Sequence, residues 1–308
     1  MYYFIVNPNS RSGKGALIWK ELRRTLRQKH ISYKAVFTGY RGHAVKLAAS
    51  VTAKASPEHP VYLIAVGGDG TIQEALSGVK DLSCVYFGYI PTGSGNDFCR
   101  SMQLPQNPHE ALDCILKRKH IASMDVPVIS IKGRKSHFAI SCGIGFDAAV
   151  CHEVSVTPMK KILNRVGLGK LVYLFVALKQ LLFLKPVPVT LRMDEERISP
   201  FHKVYFAAVM NQKYEGGGFK FCPDASPSDG YLDVIVVDGL SKLKVLFCLP
   251  TAFWGKHTQF TGIHIFRCKK VEVFSTVPLA VHKDGESAGI QETFSVSIEK
   301  EPVKIILP

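Results

Sequence analysis

Residues 61–79 read VYLIAVGGDGTIQEALSGV, and they constrain the fold more tightly than any other stretch of the chain. A buried-looking strand runs into two glycines, an acid and a third glycine, and a helix-forming run follows at once. That order of strand, glycine turn and helix makes backbone N–H groups converge on a helix N-terminus, where an anion such as phosphate is favoured. Asp69 is out of place there. A carboxylate beside a phosphate site repels it unless a divalent cation lies between them, or unless the acid handles a proton at the transferring group. A plain glycine turn capped by Asp69 or Thr71 is the ordinary alternative, and residues 65–73 alone do not separate the two.

The flanking sequence repeats the order. YYFIVNP, YKAVFTG and VYFGYIPTG read as strands; GALIWKELRRTLRQK, GHAVKLAASVTAKA and HEALDCILKRK read as helices. Alternating strands and crossover helices predict a parallel sheet with helices on both faces, and in such sheets ligands bind outside the carboxyl ends of the strands. Three motifs fall at those ends: NPNSRSGKG, GGDGT and PTGSGNDF. Past Ile121 the texture changes to short β-branched or aromatic segments separated by turn residues, among them SHFAISCGIG, KVYFAAVMN and KKVEVFS. Helical stretches over about residues 160–184 and near LKVLFCLPTAFWG interrupt them. The expected architecture is α/β plus mainly β. A nucleotide-binding α/β domain covers 1–121, an antiparallel β-sandwich covers 122–295, and a strand within 296–308, VKIILP, returns to the first domain.

At 308 residues there is room for two domains, and 46% hydrophobic against 21% charged residues is a globular balance that excludes a disordered chain. The 39 Lys and Arg outnumber 25 Asp and Glu for a formal net charge of +14. Such a chain is drawn to something anionic: nucleic acid, an acidic membrane surface or phosphate-bearing substrates. Charge alone does not choose among them, and a solvated basic surface is the ordinary alternative. The eight cysteines form no C-x-x-C pair and do not cluster with His, which disfavours a zinc site or a disulfide scaffold. MYYFIVNPNS lacks the pattern of a signal peptide, so a cytoplasmic protein is expected. The apolar stretch from Leu171 to Leu184 is broken by Lys179 and Gln180 and is shorter than the roughly 20 residues a spanning helix needs. It is read as a buried helix rather than a membrane contact.

Judged singly, the motifs are weak. NPNSRSGKG offers small polar groups, glycine-backed N–H donors and the cations Arg11 and Lys14, all suited to a triphosphate, but it does not match a P-loop, and a helix entry capped by Ser12 explains it as well. PTGSGNDF, with Asn96 and Asp97, is close to a generic turn and cap. ASPSDGYLD reads as an Asp-Gly hairpin turn and HKDGE as a solvated turn.

Together they are specific. NPNS at the first strand end, GGDGT at a later one, PTGSGNDF after the next strand and a distal DGE resemble the diacylglycerol kinase catalytic-domain family, which includes bacterial soluble diacylglycerol kinases, sphingosine kinases and ceramide kinase. The resemblance spans essentially the whole chain, including CGIGFDAAV at 142–150, PDASPSDGYLDVIVV at 223–237 and HKDGE at 282–286, and its layout is that of the bacterial soluble lipid kinases. GGDGT is shared with NAD kinases and phosphofructokinases and by itself names no substrate. The resemblance implies an ATP site built from Asn7, Pro8, Asn9, Ser10 and Arg11, from Thr38, from Gly67, Gly68, Asp69, Gly70, Thr71, Ile72 and Gln73, and from Ser94. This chain reads NPNSRSGKG where the family usually reads NPxSGxG, so Arg11 and Gly13 compete for one glycine position. Ser94 stands where the family often has Thr, which keeps the hydroxyl.

The same resemblance implies a structural Mg²⁺ held by the Asp229 carboxylate and the carbonyls of Ser226 and Tyr231, an all-oxygen set suited to a hard cation, with Asp147 as an outer partner. HKDGE carries the implied chemistry. Glu286 matches the family residue that takes the proton from the lipid hydroxyl, Asp284 shares its turn, and Asp69 organises Mg²⁺ at the phosphates. The implied activity is ATP- and Mg²⁺-dependent phosphoryl transfer to a lipid hydroxyl, with diacylglycerol the expected acceptor. A kinase for a soluble polyol or nucleotide and a catalytically silent nucleotide-binding regulator are the alternatives. The implied partner is a lipid substrate at an anionic membrane surface, peripheral at the inner face, with no nucleic acid. The mapped site needs one chain and leaves a homodimer open.

Overall fold

The computed structural model describes residues 1–156 and 169–308, so part of the expected helix over 160–184, residues 160–168, lies outside the described residues. Six strands form the first sheet: β1 (Tyr2–Val6), β2 (Tyr33–Phe37), β3 (Val61–Gly67), β4 (Val85–Pro91), β5 (His120–Met124) and β15 (Val303–Leu307), in the order β2-β1-β3-β4-β15-β5. All neighbours are parallel except β5, which is antiparallel to β15. Alternation along the central strands loads both faces. Ile5, Leu63 and Phe87 point into one core, closed by α2 (His43–Val51) and α3 (Asp69–Gly78). Phe4, Ile64 and Ile90 point into the other, closed by α1 (Ser10–Gln28) and α5 (Pro108–Lys117).

Register places the site. Val6 pairs with Val66 and Gly67 with Pro91. Main-chain bonds carry the alignment past the strand ends: Asn7 N–H to Val66 O (2.8 Å), Thr92 N–H to Gly67 O (2.7 Å) and Thr38 N–H to Val6 O (2.9 Å). All three motifs therefore leave the sheet side by side along one edge.

The chain crosses to a second sheet after β5 and returns from it before β15. This nine-stranded antiparallel sheet comprises β6 (Pro127–Ile131), β7 (Arg134–His137), β8 (Ser141–Gly145), β9 (Val187–Met193), β10 (Arg197–Met210), β11 (Leu232–Asp238), β12 (Ile263–Cys268), β13 (Lys270–Lys283) and β14 (Glu286–Ile298). The two longest strands bend it. β10 pairs with β9 through its first half and with β8 through its second, β13 does the same, and each switch falls at a register shift. Four strands thus close a circuit around a core containing Ile144, Leu191, Val209, Val273 and Val281. The architecture is α/β plus a mainly β, sandwich-like domain, as the sequence texture implies.

Among the described residues, the outer face of that sheet is covered by α6 (Phe146–Val156), α7 (Gly169–Phe183) and α8 (Lys242–Thr251). Here one expectation is corrected. Val176 and Leu181 of α7 are buried, but Phe175, Leu178, Leu182 and Phe183 are 40–75% exposed, so α7 is apolar on its core side and on its water side. Among the described residues no helix is long and apolar enough to cross a membrane.

Candidate active site

The first motif is not a simple helix entry. Arg11, Ser12 and Gly13 have φ of 48°, 58° and 91°, a left-handed turn at the mouth of α1 that two non-glycine residues enter at a cost. Such a turn makes a concavity of backbone N–H groups suited to an anion. Side chains brace it: Ser10 Oγ lies 2.7 Å from Thr92 Oγ1 and donates to Asn7 O, the Asn9 N–H bonds Asn7 Oδ1, and Asn7 Nδ2 reaches Thr71 Oγ1 at 3.4 Å. The Pro8 carbonyl accepts the Ala16 N–H of α1. Gly68 and Gly93 touch backbone to backbone, and a Cβ on Gly93 would stand 2.7 Å from the Gly68 Cα. Ser94 lies exposed in the turn beyond.

Asp69 faces the third motif. Its carboxylate accepts the N–H groups of Asp97 (3.2 Å) and Phe98 (3.4 Å), at the start of the short helix α4 (Asp97–Ser101). Burial, then the charges of Asp97 and Asp284, push its pKa up to about 7. Asp97 in turn pairs with Arg100 and accepts the Gly217 N–H of the β domain at 2.7 Å. A recessed carboxylate with carboxylate neighbours, only long backbone bonds and no positive partner among the described residues is a donor that a hard cation fits. Ile72 and Gln73 stand apart from this edge. Ile72 is fully buried in the core, and Gln73 spends its amide on Ser77 Oγ and the His137 carbonyl of β7.

HKDGE arrives from the opposite domain as the turn of the β13–β14 hairpin. Lys283 pairs with Glu286, and Asp284 and Gly285 both have positive φ, 45° and 74°, the two-residue geometry that Asp-Gly favours. Asp284 spends its carboxylate on three backbone N–H groups, those of Ala139, Ile140 and Ser141, at 2.8, 2.8 and 3.0 Å. Burial nonetheless lifts its pKa to about 6. Glu286 lies against the glycine turn, for a Cβ on Gly70 would come within 2.7 Å of Glu286 Oε1. Its other oxygen is held by Arg41, whose Nε and Nη2 both stand 2.9 Å from Oε2. Arg41 sits on a loop fixed by Glu74, which accepts the Gly42 and Ala44 N–H groups. The described residues give Oε1 no hydrogen-bond donor.

Two family models match the domains that meet at this edge. The model for the diacylglycerol kinase catalytic domain matches residues 1–128, and that for the YegS C-terminal NAD kinase beta sandwich-like domain matches residues 141–306. The chain belongs to the family that joins a diacylglycerol kinase catalytic domain to a YegS C-terminal NAD kinase beta sandwich-like domain. A diacylglycerol kinase of Mycobacterium tuberculosis is 29% identical over 288 residues, covering 91% of this chain and 87% of that one. A solved structure of a diacylglycerol kinase from Bacillus anthracis superposes with a TM-score of 0.68 at 21% identity, covering 100% of this chain and 96% of that one. An NAD kinase from Archaeoglobus fulgidus, solved in complex with ATP, superposes with a TM-score of 0.54 at 13% identity over 99% and 93% of the two chains. Those two likenesses are likenesses of fold.

Within this family frame, Asp229 belongs to a different corner. Its Oδ1 accepts the Tyr231 N–H and its Oδ2 pairs with Arg267, while Asp125, where the chain crosses between the sheets, accepts the Gly230 N–H at 2.8 Å. Burial, then the charge of Asp229, lifts the pKa of Asp233 to about 6. Asp229 already has a guanidinium partner, and these three carboxylates are not drawn together as a ligand cluster.

Sequence reasoning missed Arg41 and the partners of His282. His282, fully buried, bonds Asp147 Oδ2 at 2.9 Å and lies 3.4 Å from Glu215 Oε1. Asp147, Glu215 and His282 are the one group of metal-type ligands among the described residues. Burial disfavours charge on His282, but Glu215 and Asp147 outweigh it and raise its pKa to about 9. The imidazolium itself supplies the cation these acids need.

Proposed function

We propose that the chain is an ATP- and Mg²⁺-dependent lipid kinase that transfers the γ-phosphoryl group of ATP to the hydroxyl of diacylglycerol, giving phosphatidic acid. The observation that carries the reading is the approach of Glu286 Oε1 to the glycine turn at Gly70, with Oε2 held by Arg41. The lipid hydroxyl oxygen attacks the γ-phosphorus, its proton passes to Glu286 Oε1, and the bond from γ-phosphorus to the bridging oxygen breaks to leave ADP. The turns at Asn7–Gly13, Gly67–Thr71 and Thr92–Ser94 hold the phosphates through backbone N–H groups, and Asp284 positions the hairpin that carries Glu286. Asp69 would hold Mg²⁺ at the phosphates, and Asp229 with the Ser226 and Tyr231 carbonyls would hold a second, structural ion. When bound at the phosphates, Mg²⁺ supplies charge neutralisation on the transferring group.

The test is to incubate the protein with Mg²⁺ and γ-labelled ATP against diacylglycerol, monoacylglycerol, ceramide, sphingosine and phosphatidylglycerol in mixed micelles, with glycerol and NAD as soluble acceptors. Label in phosphatidic acid is the expected result. Label in a soluble acceptor alone would replace the lipid, and no labelled product would leave nucleotide binding without transfer.

A further inference from the structure

We infer that the outward faces of α7 and α8 form a docking surface for a bilayer that carries anionic lipid. The inference deepens the lipid-kinase reading and rests on it for its purpose, but its measurement requires no phosphoryl transfer.

Exposed apolar side chains scattered singly need no explanation, whereas a contiguous set on adjoining helices does. Phe175, Leu178 and Leu182 recur at helical spacing along the water side of α7, with Phe183 at 75% exposure at its end. Leu243, Leu246 and Phe247 do the same on α8, and Trp254, 70% exposed, follows just beyond. Val176 and Leu181 of α7 share one buried core with Val245 of α8, and the Lys242 ammonium donates to the Leu182 carbonyl, so the two outer faces are continuous.

Charge selects the occupant. The sequence has no Asp or Glu between Glu153 and Asp194, and none between Asp238 and Glu272. Lys185, Lys242, Lys244 and Lys256 stand along this face without an acidic partner among the described residues. A second copy docking through the same face would set lysine against lysine. An apolar face studded with cations fits the headgroup boundary of an anionic bilayer, where the rings and leucines enter the acyl region and the ammonium groups meet phosphates.

The surface also points at the site. Glu153 of α6 accepts from Lys179 Nζ and Gln180 Nε2 of α7, both at 2.6 Å. At the start of α6 Asp147 bonds His282, and beside Glu153 the His152 Nδ1 lies 3.0 Å from Ser287 Oγ, the neighbour of Glu286. One helix therefore joins the docking face to the turn that would receive the lipid hydroxyl.

The chain carries its own reporter, since Trp254 lies on the face and the other tryptophan, Trp19, is buried in the first domain. Tryptophan emission and co-sedimentation would be read without ATP, using vesicles of phosphatidylcholine alone and of phosphatidylcholine with phosphatidylglycerol. The anionic vesicles should shift the emission to the blue and bind the protein. A Phe183→Ser/Phe247→Ser variant should lose vesicle affinity by about tenfold or more, with an unchanged melting temperature and unchanged turnover on a short-chain, water-soluble diacylglycerol. A Lys185→Glu/Lys244→Glu variant should lose the preference for anionic vesicles. Absent blue shift in the wild type, equal vesicle binding by the apolar double variant, or a lipid-free dimer that this variant dissolves would each overturn the docking surface. Normal vesicle binding without turnover on any diacylglycerol would instead strike the lipid-kinase reading.

Discussion

A methyl group on Gly70 would stand 2.7 Å from Glu286 Oε1, and that clearance makes the residue a probe of the site. The obstructing atom is the end of a flexible side chain, so Gly70→Ala should keep the fold and move the carboxylate. Turnover should fall by about 10- to 100-fold while the melting temperature stays within about 2 °C, as read by steady-state kinetics and calorimetry. Unchanged turnover would place Glu286 away from the reacting atoms. The glycines, Asp69 and the DGE triplet were legible because turn chemistry is local: a short run of residues fixes both the backbone and the chemistry that backbone offers. The Arg41–Glu286 pair was not, because its members lie 245 residues apart and an arginine in FTGYRGHA carries no local mark of its partner. Ile72 and Gln73 turn their side chains away from this edge, since a motif names a stretch while helical geometry sends successive side chains in different directions.

Among the elements, α2 and α3 meet through Gly78, where a Cβ would stand 2.1 Å from the Val45 carbonyl oxygen. Backbone cannot yield as a side chain does, so Gly78→Ala should destabilise the protein by about 1–3 kcal/mol, read as a lowered urea midpoint. His282 joins α6, the Glu215 turn and β13 at the base of the hairpin that carries Glu286. Its folded pKa of about 9 lies above the ordinary 6.5, so its contribution to stability is fully present below pH 6.5 and is lost as pH rises through about 9. His282→Gln should therefore cost about 3–5 kcal/mol at pH 6, and its difference from wild type should shrink by pH 10 in urea titrations at the two values. A constant difference would mean the imidazole acts by shape alone. Strands and helices of the first domain were legible from periodicity. The outer face of α7 was misread because an unbroken apolar run looks the same whether its second face meets a core or a surface partner.

At the scale of the molecule, the two domains are locked where α3 meets β7. Gln73 Nε2 donates to the His137 carbonyl, the His137 N–H donates to Ser77 Oγ, and the His137 ring reaches Glu299 at 3.0 Å. This brace sets the hairpin of one domain over the glycine turn of the other. The change of sheet type was legible from the change in texture near residue 121. The closed circuit of β8, β9, β10 and β13 was not, because it depends on register shifts that pair strands far apart in the chain. The central claim is that Glu286 takes the proton of the acceptor hydroxyl, and Glu286→Gln tests it most directly because the change keeps size and removes the base. ATP binding by calorimetry and steady-state turnover would be measured on the same preparation. The account predicts ATP affinity close to wild type, since the phosphate turns belong to the other domain, and turnover lower by about 10²- to 10⁴-fold. Turnover within a few-fold of wild type would contradict it.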